Sequence, residues 1–131
     1  MKTAIIDTNI YSAFKSGNTK VIKIIAGLDK IILCTTVLGE ILSGFKCGTK
    51  EKTNRLELEQ FMDAPRVSVI ALNDETAEFY SEIYKILRNK GLPIPTNDMW
   101  IAAVGLQLGT QVLTYDSHFT YIDGLITLNP K

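Results

Sequence analysis

Five short apolar segments recur along the chain, and each has the length and composition of a β-strand. They are rich in β-branched residues and bounded by polar or turn-forming residues, which is typical of strands buried on both faces of a sheet. The predicted strands are residues 3–6, 31–34, 67–71, 112–114 and 125–128.

The segments between these strands carry the periodicity of helices. Their apolar side chains recur every three or four residues, with capping residues before them and glycines after them. The predicted helices run from a cap at Asn18 or Thr19 through Leu28, from a cap at Thr35 or Thr36 to near Gly48, over 51–62, from Asn73 or Asp74 to Gly91, and from Thr96 or Asn97 to Gly109.

The alternation of strands and helices predicts the α/β class. Such a pattern is typical of a central parallel sheet with helices on both faces, joined by right-handed crossovers. The 131 residues are 46% hydrophobic and 21% charged, and no repeat or linker divides them. We therefore expect a single domain over residues 1–131.

The composition argues against several other classes of protein. The 14 basic and 14 acidic side chains cancel, so no strong overall field attracts nucleic acid or membrane. The apolar stretches are far shorter than the roughly 18 residues that a membrane span needs, and we expect a cytoplasmic protein. The two cysteines are too few for a disulfide framework or a zinc site, although a single bridge stays open. Cys34 is expected to pack as a small apolar residue.

Three acidic residues fall where predicted strands end or a predicted helix begins. Asp7 directly follows the first strand, Asp116 lies two residues beyond the strand ending at Thr114, and Asp98 opens the helix after Pro95. Ligands of parallel α/β sheets bind beyond the carboxyl ends of the strands, where helix N-termini converge. We therefore expect these three acids to share one edge of the sheet.

Glu40 is predicted to join them from the second helix. It lies about 60° outside Val37, at the margin of that helix's apolar stripe. It also sits about one turn into a helix that starts at the same edge, so its carboxylate is placed to lean over the end of the sheet. Gly44, one turn later, leaves room there.

Each acid also has a purely structural explanation. Asp7 can cap a helix that begins near Asn9, and Asp98 can complement a helix dipole. Asp116 can be a turn residue, and Glu40 can be a solvated helix residue. The four positions together fit one site better than four independent structural roles.

A cluster of four carboxylates requires a cation. Two unit charges about 4 Å apart repel by roughly 4 kcal/mol at an effective dielectric constant near 20. Oxygen ligands without histidine or cysteine favour Mg²⁺ or Mn²⁺ over zinc. Such an ion lowers the pKa of an attacking water and stabilises charge on phosphate oxygens, so the hypothesis is hydrolysis of phosphodiester bonds.

The four acids lie in four sequence motifs, which are "IIDTN" with Asp7, "TTVLGEILSG" with Glu40, "TNDMWIAA" with Asp98 and "VLTYDSHF" with Asp116. These motifs resemble those of the PIN-domain ribonucleases, especially the VapC-like toxins of type II toxin–antitoxin pairs. They agree with the family in order and spacing, and the resemblance spans nearly the whole chain.

The resemblance implies a fold, an activity and a set of partners. The fold is a three-layer α/β/α sandwich around a parallel sheet with strand order 3-2-1-4-5. Members of the family cleave RNA with one or two Mg²⁺ or Mn²⁺ ions, and a toxin of this kind has an antitoxin protein as partner and forms a homodimer. The carried-over roles are catalysis and metal binding for Asp7, Glu40, Asp98 and Asp116, and orientation of carboxylates or waters for Thr8, Thr114 and Ser117.

The histidine and two aromatic residues near these motifs have simpler expected roles. His118 is expected to order the loop after Asp116, with Phe119 packing inward, rather than to perform acid–base chemistry. Tyr11 and Trp100 are expected to pack against the protein or an interface rather than to stack on bases.

Rival functions come from other classes of protein. A receiver-type phosphoacceptor domain carries two adjacent acids after the first strand and a lysine after the last, whereas Asp7 is followed by Thr8 and Asn9 and no lysine comes directly after Thr114. Haloacid-dehalogenase phosphatases need an aspartate where Asn9 stands. A housekeeping PIN nuclease of RNA processing and a catalytically silent binding module are further alternatives.

Overall fold

The computed structural model describes residues 2–131, so residue 1 of the domain expected over 1–131 lies outside the described residues. Five parallel strands form one sheet in the order β3-β2-β1-β4-β5, which confirms the predicted α/β class and strand order. The strands are β1 (Thr3–Ile6), β2 (Lys30–Cys34), β3 (Val67–Ile70), β4 (Gln111–Leu113) and β5 (Thr127–Leu128).

Six α-helices connect the strands. The chain runs outward from β1 to β3 and then crosses back to β4, so right-handed crossovers place the first four helices on one face of the sheet and the last two on the other. The helices are α1 (Thr8–Lys15), α2 (Thr19–Ala26), α3 (Thr35–Cys47), α4 (Glu51–Asp63), α5 (Asp74–Lys90) and α6 (Thr96–Leu108), and a short 3-10 helix covers Ser117–Tyr121.

The core lies around the central strand β1, its neighbour β4 and α6. In β1 and β4, every residue after the first is fully buried. The α6 residues from Ile101 to Gly105 are buried as well. A methyl group added at Gly105 would lie 2.7 Å from Leu125 Cδ1 and 3.3 Å from the carbonyl oxygen of Thr110. Glycine at this position therefore lets α6 lie close to β4 and the segment leading into β5.

Several predicted helix ends agree with the structure. The side chain of Asn18 accepts a hydrogen bond from Val21 N at the start of α2, and Asn73 forms a capping box at the start of α5. Gly91 and Gly109 end α5 and α6 with φ of +66° and +60°, the left-handed conformation that glycine adopts without strain.

Other predicted boundaries were wrong. Helix α3 is capped by Cys34, not by Thr35 or Thr36, and α2 ends at Ala26, two residues before the expected end. β5 is two residues long because the chain joins the sheet only at Thr127. β1 has the predicted range, and β2, β3 and β4 differ from their predicted ranges by one residue at one or both ends.

Three features of the fold were predicted only in part or not at all. A helix capped by Asp7 was one explanation of that acid, and the strand order that the resemblance implies puts β3 at an edge. Helix α1 is separate from α2 and only eight residues long, which is too short for a clear periodic pattern. The 3-10 helix after Asp116 was not anticipated. β3 is an edge strand with Ser68 and Val69 exposed, rather than a strand buried on both faces.

The burial of Cys34 agrees with the expectation that it packs as a small apolar residue. Cys34 is buried, Cys47 is exposed and both are free thiols, so they form no bridge with each other. Within residues 2–131, no helix is long and apolar enough to cross a membrane.

Candidate active site

Asp7 lies at the carboxyl end of β1 and caps α1. Its side chain is nearly buried, with 6% of its surface exposed. Oδ1 accepts a hydrogen bond from Thr8 N at 2.7 Å, and Oδ2 accepts one from Thr114 Oγ1 at 2.8 Å. Each oxygen of this buried carboxylate therefore has a donor, as buried polar groups require.

The pKa of Asp7 is raised above its ordinary value. Burial is the largest cause, because removal from water disfavours the charged form. The hydrogen bonds from Thr114 and Thr8 act in the opposite direction, and the charges of Glu40 and Asp116 raise the pKa further. Asp7 is therefore electrostatically coupled to two of the other predicted acids.

Glu40 lies between the N-termini of two helices. Its Oε1 accepts a hydrogen bond from Thr8 Oγ1 on α1 at 2.9 Å, and its Oε2 accepts one from Asn97 Nδ2 on α6 at 2.6 Å. The structure thus places Glu40 at the edge of the sheet where the sequence predicted it. The open space beside Gly44 agrees as well, since a methyl group added there would contact nothing within 4 Å.

Asp98 is the third residue of α6, and its pKa is raised to about 6. Burial is again the largest cause, followed by the negative charges of Asp7, Asp116 and Glu40, while His118 lowers the pKa. The carboxyl of Asp98 is thus influenced by all three other predicted acids.

Asp116 lies just beyond β4 and caps the 3-10 helix. Its Oδ1 accepts a hydrogen bond from His118 N at 2.8 Å, and His118 Nδ1 lies 3.2 Å from the same oxygen. Asp116 N donates to Thr114 Oγ1 at 3.0 Å, so the Thr114 hydroxyl bridges Asp116 and Asp7. Phe119 is fully buried, as predicted for the residue that follows His118.

The supporting hydroxyls differ in their contacts. Thr8 contacts Glu40 and Thr114 contacts Asp7, which is the geometry expected of residues that orient carboxylates. Ser117 is exposed, and within residues 2–131 its hydroxyl makes no hydrogen bond to any of the four carboxylates. Its carbonyl instead accepts a hydrogen bond from Thr120.

The chemistry of the donors fits a hard divalent cation, because the four acids offer oxygen ligands and excess negative charge. In the described part of the chain, however, no group of three or more Asp, Glu, His or Cys side chains is close enough to hold one ion in the conformations seen. Glu40 is turned toward Thr8 and Asn97, and Asp116 toward the start of the 3-10 helix. Shared ligation requires an adjustment of the side chains at this edge, and Glu40 can keep both hydrogen bonds while it binds an ion because each carboxylate oxygen has two lone pairs.

An open groove of about 300 Å³ begins beside Glu40 and runs between α1, α3 and α4. Its walls include Tyr11, Ile41 and Phe45, and Lys15 pairs there with Glu57 at 2.8 Å. The groove joins the acidic edge to a surface with both apolar and charged side chains.

The two aromatic residues considered for base stacking are packed against the protein instead. Tyr11 is 3% exposed and meets Phe61 edge to face, with ring centroids 5.2 Å apart. Trp100 stacks on Tyr80 at 4.1 Å. These contacts confirm the packing roles predicted from the sequence.

Asn97 is the residue of this edge that the sequence reasoning missed. It lies within the "TNDMWIAA" motif, but only its neighbour Asp98 was assigned a role. Its partner Glu40 is 57 positions earlier, so no local pattern points to the contact.

Comparisons with known proteins assign the chain to a family. The PIN domain family matches residues 4–125. The chain belongs to the PIN domain family. It is 23% identical over 120 residues to "Ribonuclease VapC5" of Mycobacterium tuberculosis, covering 92% of this chain and 87% of the relative. It is 27% identical over 129 residues to "Ribonuclease VapC2" of Rickettsia felis, covering 95% of each chain.

A solved structure shares the same fold. It is the crystal structure of VapBC2 from Rickettsia felis bound to a DNA fragment from the promoter, with a TM-score of 0.85 and 25% identity, covering 97% of this PIN domain and 98% of that chain. The sheet order also separates this chain from the receiver-type alternative, since flavodoxin-like receivers have the order 2-1-3-4-5.

Proposed function

We propose that this PIN domain is a metal-dependent endoribonuclease and the toxin of a VapC-type toxin–antitoxin pair. The observation that carries the proposal is the hydrogen-bond network at one edge of a PIN fold, in which Thr8 and Thr114 link three of the four acids: Asp7, Glu40 and Asp116. Two relatives that are named ribonucleases align with nearly the whole chain, which supports RNA as the proposed substrate.

The metal site is proposed to consist of Asp7, Glu40, Asp98 and Asp116, holding one or two Mg²⁺ or Mn²⁺ ions. When bound, such an ion lowers the pKa of a water molecule and stabilises negative charge on the phosphate. The side chains around the acids orient the carboxylates. Thr114 and Thr8 fix the plane of the Asp7 carboxylate, and Thr8 also holds one oxygen of Glu40.

The mutual repulsion of the acids also prepares the site for a cation. Burial and neighbouring charges raise the pKa of Asp98 and of Asp7, which means that the fold holds these carboxylates under electrostatic strain. A divalent cation relieves that strain, and the same negative potential disfavours a phosphate backbone that arrives without one.

The proposed protein partner is an antitoxin. The structural neighbour from Rickettsia felis is a VapBC complex bound to promoter DNA, which supports a similar pairing for this chain. The groove beside Glu40 offers the antitoxin an apolar wall that ends at the acidic edge. A basic side chain of the antitoxin is expected to meet the carboxylates there. A homodimer is part of the same proposal.

The direct test is incubation of the purified protein with defined RNAs in Mg²⁺ or Mn²⁺. We expect cleavage that is lost with a chelator and in Asp7→Asn. The matched control is Asp63→Asn, which removes the same charge at an exposed position at the end of α4 and should cleave normally. Cleavage that persists in Asp7→Asn would remove Asp7 from the mechanism.

A second test uses thermal melting and does not depend on finding the RNA. Without divalent ions at pH 7.5, Asp7→Asn should melt a few degrees higher than wild type, because it removes a charge that burial disfavours. Excess Mn²⁺ at about 100 times its Kd should stabilise wild type by about 2.7 kcal/mol, and Asp7→Asn much less. An equal Mn²⁺ effect on both proteins would contradict the proposed ligand.

A further inference from the structure

Glu40 is held by two neutral donors from opposite sides. Thr8 Oγ1 on α1 donates to Oε1 at 2.9 Å, and Asn97 Nδ2 on α6 donates to Oε2 at 2.6 Å. A hydrogen bond to each oxygen fixes the position of the carboxylate and also the plane in which its oxygens lie. Glutamate otherwise retains several rotamers at a half-buried position.

Asn97 contributes more than a contact because of its place in the chain. It is the second residue of α6 and directly precedes Asp98. One helical turn therefore carries both an acid of the edge and the donor that holds another acid, although Glu40 comes from α3. The contact sets the placement of Glu40 relative to Asp98.

The chemistry of asparagine suits this role. Its amide presents an N–H to a carboxylate and stays neutral. A lysine in its place would cancel the negative charge that attracts a cation, and an aspartate would repel Glu40. Asn97 therefore orients Glu40 while the negative charge of the site is preserved.

We infer that Asn97 is a positioning residue of the metal site, acting through its hydrogen bond to Glu40 Oε2. This inference rests on the proposed function, since it concerns the same carboxylates. Removal of the amide frees one side of Glu40, so the free energy of cation binding must then include the cost of ordering that side chain.

The first test is calorimetric titration with Mn²⁺ alone. Asn97→Ala should raise the Kd for Mn²⁺ about tenfold, the size of effect typical of residues that orient metal ligands. In a Glu40→Gln background the same substitution should change the Kd less than twofold, because the carboxylate on which it acts is gone. An equal factor in both backgrounds, or no change in either, would overturn the role.

Two further variants control for folding. Asn97→Ser also removes the amide donor, because the serine side chain is shorter, and serine is well tolerated in the first turn of a helix. It should therefore raise the Kd for Mn²⁺ as Asn97→Ala does. Gln107→Ala removes another side-chain amide of α6. Gln107 lies at the opposite end of this helix from Asn97, and its partners are Thr76 and Asn73 at the start of α5. It should leave the Kd for Mn²⁺ unchanged.

The second test needs no metal. In ¹⁵N-labelled protein, Glu40→Gln should shift the side-chain amide resonances of Asn97, whereas Glu57→Gln in the nearby groove should not. Unmoved resonances in Glu40→Gln would overturn the contact itself. If Glu40→Gln shifts the Asn97 resonances but the wild-type protein binds no Mn²⁺, the contact exists, and both the proposed metal-dependent function and the role of Asn97 in it are overturned. Normal Mn²⁺ binding in Asn97→Ala would overturn the role alone.

Discussion

Thr114 donates a hydrogen bond from Oγ1 to Asp7 Oδ2 at 2.8 Å, although the two residues are 107 positions apart in the chain. The contact joins the carboxyl ends of β4 and of β1, the central strand, which pair directly in the sheet. The Thr114 hydroxyl is buried, and its oxygen also accepts a hydrogen bond from Asp116 N. One hydroxyl thus links the acids that follow both strands.

Thr114→Val should weaken the fold. It leaves one oxygen of the buried Asp7 carboxylate and the N–H of Asp116 without this partner, at a cost of about 1–3 kcal/mol in the free energy of unfolding at pH 7.5. Thr114→Ser keeps the hydroxyl and should cost less than Thr114→Val. Urea denaturation measures both, and equal stability of the two variants would contradict the structural role of the hydroxyl.

Asp98→Asn should stabilise the protein at neutral pH in the presence of a chelator. The pKa of Asp98 is about 6 in the folded chain against an ordinary value of 3.8, so the folded state holds its proton over a pH range where the unfolded state has lost it. The stabilising contribution of this proton is present below 3.8 and is lost as pH rises through about 6. Asparagine, which stays neutral, avoids that loss.

The size of this effect follows from the pKa. A change from 3.8 to about 6 corresponds to about 3 kcal/mol for a fully buried group. Asp98 is only half-buried and solvent screens it, so we expect a gain of about 1–2 kcal/mol at pH 7.5 that shrinks towards pH 4.5. Asp63→Asn is the exposed control. A gain for Asp98→Asn that is the same at both pH values would contradict the coupling of the acids.

Two glycine-to-alanine substitutions should have opposite effects. Gly105→Ala places a methyl group against Leu125, Val112 and the Thr110 carbonyl, and should cost about 1–3 kcal/mol through overpacking. Gly44→Ala on α3 meets nothing within 4 Å and should gain about 0.5–1 kcal/mol through helix propensity. Denaturant melts of the two variants test whether α6 lies as close to the sheet as the structure has it.

The location of the acids at one edge could be predicted from the sequence for a simple reason. Parallel strands end at the same side of a sheet, so residues that follow apolar strands, such as Asp7 and Asp116, must come near one another. Helical periodicity likewise placed Glu40 at the margin of a buried face. These arguments depend on local pattern and on general rules of topology.

The contacts among these residues could not be predicted, because they depend on distant partners. The hydrogen bond from Asn97 to Glu40 joins residues of different helices that neither periodicity nor composition connects. The 3-10 helix after Asp116 begins with a cap in which the Asp116 carboxylate accepts a hydrogen bond from His118 N. The sequence offers both a turn and a metal site as roles for Asp116, and it does not indicate this cap. The present side-chain positions of Glu40 and Asp116 follow from such hydrogen bonds.

The insertion of β4 beside β1 has a consequence for biosynthesis. A growing polypeptide emerges from the ribosome from its N-terminus, so β4 is made after β1, β2 and β3 although it pairs directly with β1. A nascent chain that ends at residue 100 already contains Asp7, Glu40 and Asp98, but it lacks the Thr114 hydroxyl and the carboxylate of Asp116. The acidic edge is therefore completed only after the ribosome has synthesised β4 and the residues that follow it.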